Sequence, residues 1–283
     1  NIKYVHAHVG YPAGYLAVSL AKKYNAKSII QHHGIDALQL NNGRNYFLNK
    51  LYSGTLRNRT LNRLNQASLN LAVSKLIFKN LYKFKKYKPK SEFVLYNGID
   101  YKKFYFIPES RYSKFQIGCI ANFWDIKDQM SLIKSVEFLR DFYQVTDIEL
   151  EFIGSGKKLK KCISYVQKNR LYNQIKFLSE LEHQKLNLYY NKWSLFVLPS
   201  YYEAFGCVYL EAFATKTPFI AVKEQGIQEI LKPYPHLINK KDYKSLAKHI
   251  LLFYQNKGVM PRLNINPDIH YLVKDYLNVL KSL

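Results

Sequence analysis

The chain has 283 residues, enough for one large domain or two ordinary ones with a real core, and its 48% hydrophobic and 22% charged composition excludes a disordered or collagen-like chain. Lys and Arg total 43 against 20 Asp and Glu, a net charge of +23 that favours nucleotides, phospholipid head groups or nucleic acid without choosing among them. Eighteen basic and three acidic residues fall within the first 105 positions, so the excess gathers toward the N-terminal end, although Lys, Asn, Ile and Tyr are also what AT-rich coding supplies.

Short apolar runs alternate with longer stretches of helical period, the pattern of βαβ units on a parallel sheet. The first part reads as a strand at Ile2 to Val5, a helix over Pro12 to Tyr24 and a strand at Ser28 to Gln31. Helical material follows from Arg44 to Leu64, then a strand at Leu69 to Val73 and a helix that Ser74 can cap. A short strand at Phe93 to Leu95 runs into Asn97-Gly98, a turn signal, and the linker is placed just beyond, near residue 105.

The second part alternates more cleanly. Strands are expected at Phe115 to Ile120, Ile148 to Ile153, Ile175 to Phe177, Leu195 to Leu198 and Phe219 to Val222. Between them lie helices from Ile126, over Lys157 to Asn169, Glu182 to Asn191 and Gly206 to Ala214. Two helices close the chain, Tyr243 to Gln255 and Pro267 to Leu280. The reading is α/β, with two doubly wound domains: residues 1–105, where only four strands are found against the six or so of a full nucleotide-binding half, and residues 106–265. Residues 266–283 form a terminal helix expected to pack back on the first domain.

Cys119, Cys162 and Cys207 are far apart and lack C-x-x-C spacing, so no disulfide framework or zinc site is indicated, and a reducing, cytoplasmic setting is the default. Apolar runs such as Leu195 to Pro199 are too short to cross a bilayer. The protein is therefore expected to be soluble or peripheral on the cytoplasmic face of a membrane. Between Lys75 and Lys90 lysines interleave with Leu, Phe and Tyr, a basic helix suited to an anionic membrane surface unless Leu76, Ile77, Leu81 and Phe84 are simply its core face. No nucleic-acid motif accompanies the charge, so nucleic acid is not expected as a partner.

In open α/β sheets ligands bind beyond the carboxyl ends of the strands, which directs attention to the loops there. The segment from Pro199 to Ala212 follows a buried strand and opens a helix, with Glu203 in the loop and Glu211 eight residues on. Backbone N–H groups near Phe205 to Val208 would favour phosphate or a polar sugar beside those carboxylates. Spacing alone leaves open that Glu203 caps the helix and Glu211 is an ion-paired helical residue.

This segment resembles the E-x7-E motif of the retaining glycosyltransferase family 4 (glycosyl transferases group 1), which has the two-domain GT-B fold. The resemblance extends to Val5-His6-Ala7-His8, His32-His33-Gly34-Ile35-Asp36, Leu71-Ala72-Val73-Ser74, Asn97-Gly98-Ile99-Asp100 with Phe104, Gly154-Ser155-Gly156 and Lys127. It implies transfer of a sugar from a nucleotide-diphosphate sugar to a glycan or lipid-linked acceptor in bacterial cell-surface polysaccharide assembly, with no cofactor and no metal. No D-x-D triplet occurs in the chain. Glu203, Lys127 and His8 are the implied catalytic residues. The donor would meet Asn122, Lys127, Gly154, Gly156, Glu203, Ala204, Phe205, Gly206, Cys207, Val208 and Glu211, the last accepting from ribose hydroxyls. His8 and His33 are the acceptor-side candidates.

Three departures stand out. Asn122 occupies the place of a common Arg, Ser179-Glu180 replaces a Gly after the strand near Phe177, and the family's Gly-rich loop after its first strand has no counterpart, so the N-terminal domain is expected to be short. The alternative reading is a non-catalytic remnant or subunit that binds nucleotide sugar and needs a partner to complete its acceptor half.

Overall fold

The computed structural model describes residues 2–34, 46–108 and 114–283, the side chains of 46–53 excepted. Ile35 and Asp36 of the His-Gly loop, and the start of the helix expected from Arg44, lie outside the described residues. The chain divides into two compact units, residues 1–97 with 269–283, and residues 98–268.

The first unit carries β1 (Tyr4–His8), β2 (Lys27–His32), β3 (Leu69–Ala72) and β4 (Glu92–Val94), all parallel and in that spatial order. Helix α1 (Ala13–Lys23) buries Gly14, Ala17, Val18 and Ala21, the i, i+3, i+4, i+7 row that a helix on a sheet requires. Two further helices are α2 (Tyr46–Gln66) and α3 (Lys75–Leu81). The terminal helix packs Tyr276, Val279 and Leu280 on the cluster of Ile29, Leu69 and Leu71, and Tyr4 donates to the Leu280 carbonyl at 2.8 Å.

Two expectations fail here. The basic stretch is helical only as far as Leu81. Beyond it Asn65 takes over the backbone, donating to the Lys86 carbonyl at 2.8 Å and accepting from the Lys88 amide at 2.7 Å, just ahead of Pro89. Ser74 occupies the N-cap of α3 in an extended conformation, yet its hydroxyl makes no capping bond.

The second unit is one parallel six-stranded sheet. In chain order its strands are β5 (Gln116–Ile120), β6 (Glu149–Ile153), β7 (Ile175–Leu178), β8 (Leu195–Val197), β9 (Phe219–Val222) and the short β10 (Leu237–Ile238). The spatial order is β10-β9-β8-β5-β6-β7, so successive strands are added on one side of β5 and then on the other, and the switch point lies between β5 and β8. Gly118 on β5 permits that pairing: a Cβ there would lie 2.0 Å from the fully buried Trp193 ring. Around the sheet run α4 (Gln129–Tyr143), α5 (Leu159–Lys168), α6 (Leu186–Lys192), α7 (Cys207–Ala214) and α8 (Tyr243–Tyr254), while α9 (Ile269–Lys281) is the terminal helix of the first unit.

The boundary falls at residue 97 rather than near 105. Residues 98–107 are tied to the second unit, where Ile99 N–H donates to the Pro267 carbonyl at 2.8 Å, Asn187 and Asn191 side chains accept from the Tyr105 and Ile107 amides, and the buried Phe104 lies edge-on to Tyr190.

A histidine pair, His236 buried and His249 half-buried, secures the far end of this unit. Val259 N–H donates to His236 Nε2 at 3.0 Å, so His236 carries its proton on Nδ1 and donates to His249 Nδ1 at 3.0 Å. Burial first, and His249 second, push the His236 value down to about 4. His249 is lowered by burial and then by Lys223, against Asp242. The unfolded chain takes up these protons near pH 6.5. Between that pH and the lower folded values the unfolded state binds more protons, so stability falls as pH drops through this window. Melting temperatures recorded from pH 7 to 4.5 should decline more steeply for the native chain than for His236→Leu; parallel curves would remove the pair from this role.

Candidate functional site

The site is assembled from loops at the carboxyl ends of β5, β6 and β8, on both sides of the switch point. Beyond β5, Phe123 N–H donates to the Ser155 carbonyl at 2.6 Å and its own carbonyl accepts from Lys158 at 2.9 Å, which binds the Gly154-Ser155-Gly156 loop tightly against it. Both glycines have left-handed φ, +144° and +140°, and a Cβ would lie 2.3 Å from the Ala121 oxygen at Gly154 and 2.7 Å from the Phe123 oxygen at Gly156. Only glycine fits this approach of two backbones.

The chain then makes a short 3-10 turn, Asp125–Lys127, which projects Lys127 across the switch point. Its Nζ lies 2.6 Å from Glu203 Oε1, with Lys127 and Glu203 side chains 27% and 12% exposed. The Glu203 backbone is held by Gln225, which is buried, accepts from the Glu203 amide and donates to the Tyr201 carbonyl at 3.1 Å. Gly226 N–H donates to the Glu203 carbonyl at 3.2 Å. Gln225 is not among the residues the sequence singles out. The Ser200 hydroxyl, at the root of the same loop, is buried and makes no hydrogen bond.

After the loop, Phe205 points into the core and Gly206, at φ +86°, starts α7. No side chain caps this helix start, and Cys207 and Val208 occupy its first two positions. Glu211, in the second turn, is 7% exposed. Its Oε2 accepts from the Tyr190 hydroxyl at 2.8 Å and its Oε1 lies 3.1 Å from His183 Nε2. Burial and the facing carboxylate hold Tyr190 well above its ordinary value, so it stays a donor. His183 was not anticipated from sequence; the helix expected from Glu182 begins instead with the turn His183–Lys185. Asn122 is exposed, and its backbone oxygen accepts from the Trp124 amide at 2.8 Å and from Gln129 Nε2 at 3.0 Å.

None of the three cysteines is in a disulfide; Cys119 and Cys162 are buried and Cys207 is exposed. Burial pushes Cys162 up to about 11, and Cys119 upward as well, so neither is a nucleophile at neutral pH. Among the described residues no group of three His, Cys, Asp or Glu is arranged to hold a metal ion.

In the first unit, β1 extends to His8, which puts His6 and His8 on one face. His8 Nδ1 is 2.9 Å from His33 Nε2, and the His6 ring stacks on His8 with centroids 4.7 Å apart. His6 also meets the Tyr276 hydroxyl through Nδ1 at 3.2 Å, and burial followed by the neighbouring His8 lowers its value. His32 is a buried partner of Asn70 at 3.2 Å, a structural role. His6 joins the pair because the strand is three residues longer at its C-terminal end than periodicity suggested.

Two parallel α/β units, the second with its site at the switch point, match the GT-B class of glycosyltransferase structures. Residues 101–266 match glycosyl transferases group 1 and residues 1–103 match glycosyltransferase family 4; the chain belongs to the glycosyl transferases group 1 family. It is similar to the uncharacterized glycosyltransferase MJ1178 of Methanocaldococcus jannaschii, 28% identical over 94% of this chain and 69% of that one. It is also similar to the alpha-monoglucosyldiacylglycerol synthase of Acholeplasma laidlawii, 22% identical over 94% of this chain and 70% of the other. Among solved structures, Anabaena Alr3699/HepE in complex with UDP and glucose aligns with TM-score 0.78 at 17% identity, over 99% of this chain and 78% of that one.

Proposed function

We propose that the chain transfers a hexose from a nucleotide-diphosphate sugar to a lipid-linked or polysaccharide acceptor in bacterial surface glycan synthesis, with retention of anomeric configuration and without a metal. The observation that carries this reading is the Lys127–Glu203 pair at the switch point, 2.6 Å apart and flanked by the Gly-Ser-Gly loop and the start of α7. In this assignment Lys127 neutralises the diphosphate as it leaves, and Glu203 binds sugar hydroxyls once the donor competes for the ion pair. Gly154, Gly156 and Asn122 line the diphosphate, the amides from Ala204 to Val208 offer N–H groups to sugar and phosphate, and Glu211 receives the ribose. HepE, whose structure contains UDP and glucose, is the neighbour that supports this assignment.

No side chain is placed as a covalent nucleophile, so the leaving phosphate is taken to accept the acceptor's proton on the face where the new bond forms. His8, held by His33, is the acceptor-side contributor. Product anomer determination by NMR tests the stereochemistry, retention being expected and inversion excluding it. Activity lost on EDTA treatment would contradict metal independence.

The lysines at 75, 79, 83, 85, 86, 88 and 90 are all exposed, as is Tyr82, whereas Ile77, Phe78 and Leu81 are buried, so the basic stretch turns its lysines outward. This favours electrostatic contact with anionic lipid on the cytoplasmic face, consistent with the diacylglycerol glycolipid named for the Acholeplasma relative. No helix among the described residues is long and apolar enough to cross a membrane. Co-sedimentation with phosphatidylglycerol vesicles at physiological salt, reduced when four of these lysines become glutamine, is the expected result.

A further inference from the structure

Glu211 has two unlike partners. Tyr190 is fully buried, and its hydroxyl reaches Oε2 from inside the core at 2.8 Å. His183 reaches Oε1 from the rim at 3.1 Å, with its side chain 60% exposed and its ring edge-on to Phe104 at 5.0 Å between centroids. A carboxylate this deeply buried is costly unless hydrogen-bonded. Tyr190 is a fixed partner, whereas His183, on a short turn at the surface, is exchangeable.

We propose that His183 stands in for the ribose hydroxyls at Glu211, so that a nucleoside diphosphate binds only by displacing the imidazole from Oε1. This inference rests on the reading of Glu211 as the ribose-binding carboxylate. The physical consequence is a lowered apparent affinity. A ligand that binds only the open form sees its affinity reduced by the fraction of chains in which His183 has moved aside. The contact also selects among ligands, because a vicinal diol can replace the donor that leaves Glu211 and a ligand without hydroxyls cannot. His183 is thus a specificity-determining residue, and the geometry gives it no part in the transfer step.

The test is calorimetric titration of the native chain, His183→Ala and Glu211→Gln with UDP, GDP and ADP, followed by the 2′,3′-dideoxy analogue of whichever binds the native chain most tightly. Removing one competing hydrogen bond should tighten the ribonucleotide by about threefold to tenfold in His183→Ala. The dideoxy analogue, which brings no hydroxyl to Oε1 and so leaves His183 on Glu211, should gain nothing. An unchanged or weaker affinity in His183→Ala, or an equal gain for the dideoxy analogue, would overturn the inference. If Glu211→Gln lowers affinity while His183→Ala leaves it unchanged, the inference fails and the donor-site reading stands. If no nucleotide binds the native chain, the reading itself fails and the inference with it.

Discussion

Replacing Lys127 by alanine is expected to lower turnover by about 10²–10³-fold, the cost of removing one preorganised group that stabilises developing charge. Asn122 stands where the family resemblance places a second basic residue, so in the proposed reading charge on the departing diphosphate falls to Lys127 and to backbone N–H groups. Lys127 is partly shielded, at 27% exposure, and pinned 2.6 Å from Glu203, so its charge is screened less than that of a surface lysine. Its loss also leaves Glu203 without its cation, and in the proposed reading an anionic donor enters beside that carboxylate. Most of the deficit should appear in kcat, because the cation acts on charge that grows as the sugar–phosphate bond breaks. Lys127→Arg should recover part of the rate. A Lys127→Ala variant with near-native kcat would remove Lys127 from the catalytic role.

Gly226→Ala is expected to have the largest effect on donor binding of any single methyl addition. A Cβ there would lie 1.9 Å from the Ala204 carbonyl oxygen and 2.8 Å from the Phe205 Cα, both backbone atoms of the loop that presents Glu203. Neither can rotate away, so the loop must move, and Gly226 N–H loses its 3.2 Å bond to the Glu203 carbonyl. Overpacking of this kind costs about 1–3 kcal/mol. Nucleotide affinity should fall by more than stability alone explains. Gly118→Ala separates the two effects, since its Cβ would meet the Trp193 ring at 2.0 Å inside the sheet. That variant should melt earlier but bind nucleotide normally when folded; equal loss of affinity in both would contradict the loop argument.

The parallel pairing of the strands follows from features legible in the sequence. Continuous apolar runs such as Leu195 to Leu198 and Phe219 to Val222 belong to strands buried on both faces, and the helices between them force parallel pairing. The placement of Glu203 in the loop after β8 followed from the same alternation, whereas Lys127, expected in a helix from Ile126, lies on the short turn Asp125–Lys127 ahead of α4. What the periodicity did not carry is side-chain reach across sequence. Gln225 lies 22 residues from the Glu203 amide it supports, and His183 lies 28 from Glu211. Neither sits in a patterned position. The basic stretch was misjudged because Lys and Leu favour helix, whereas beyond Leu81 the backbone makes turns and its Lys86 and Lys88 groups bond to the remote Asn65. The boundary near 105 was misplaced because residues 98–107 are held by bonds to Pro267, Asn187 and Asn191, partners far along the chain.

The central claim, that the second unit binds a nucleotide-diphosphate sugar at the switch point, is tested most directly by titrating UDP-, GDP- and ADP-hexoses into the native chain and Glu211→Gln under calorimetry. Saturable binding of at least one donor to the native chain is expected, weakened about tenfold or more in Glu211→Gln, as the loss of a charged hydrogen-bond acceptor requires. Absence of binding by every donor, or equal binding by the two proteins, would contradict it.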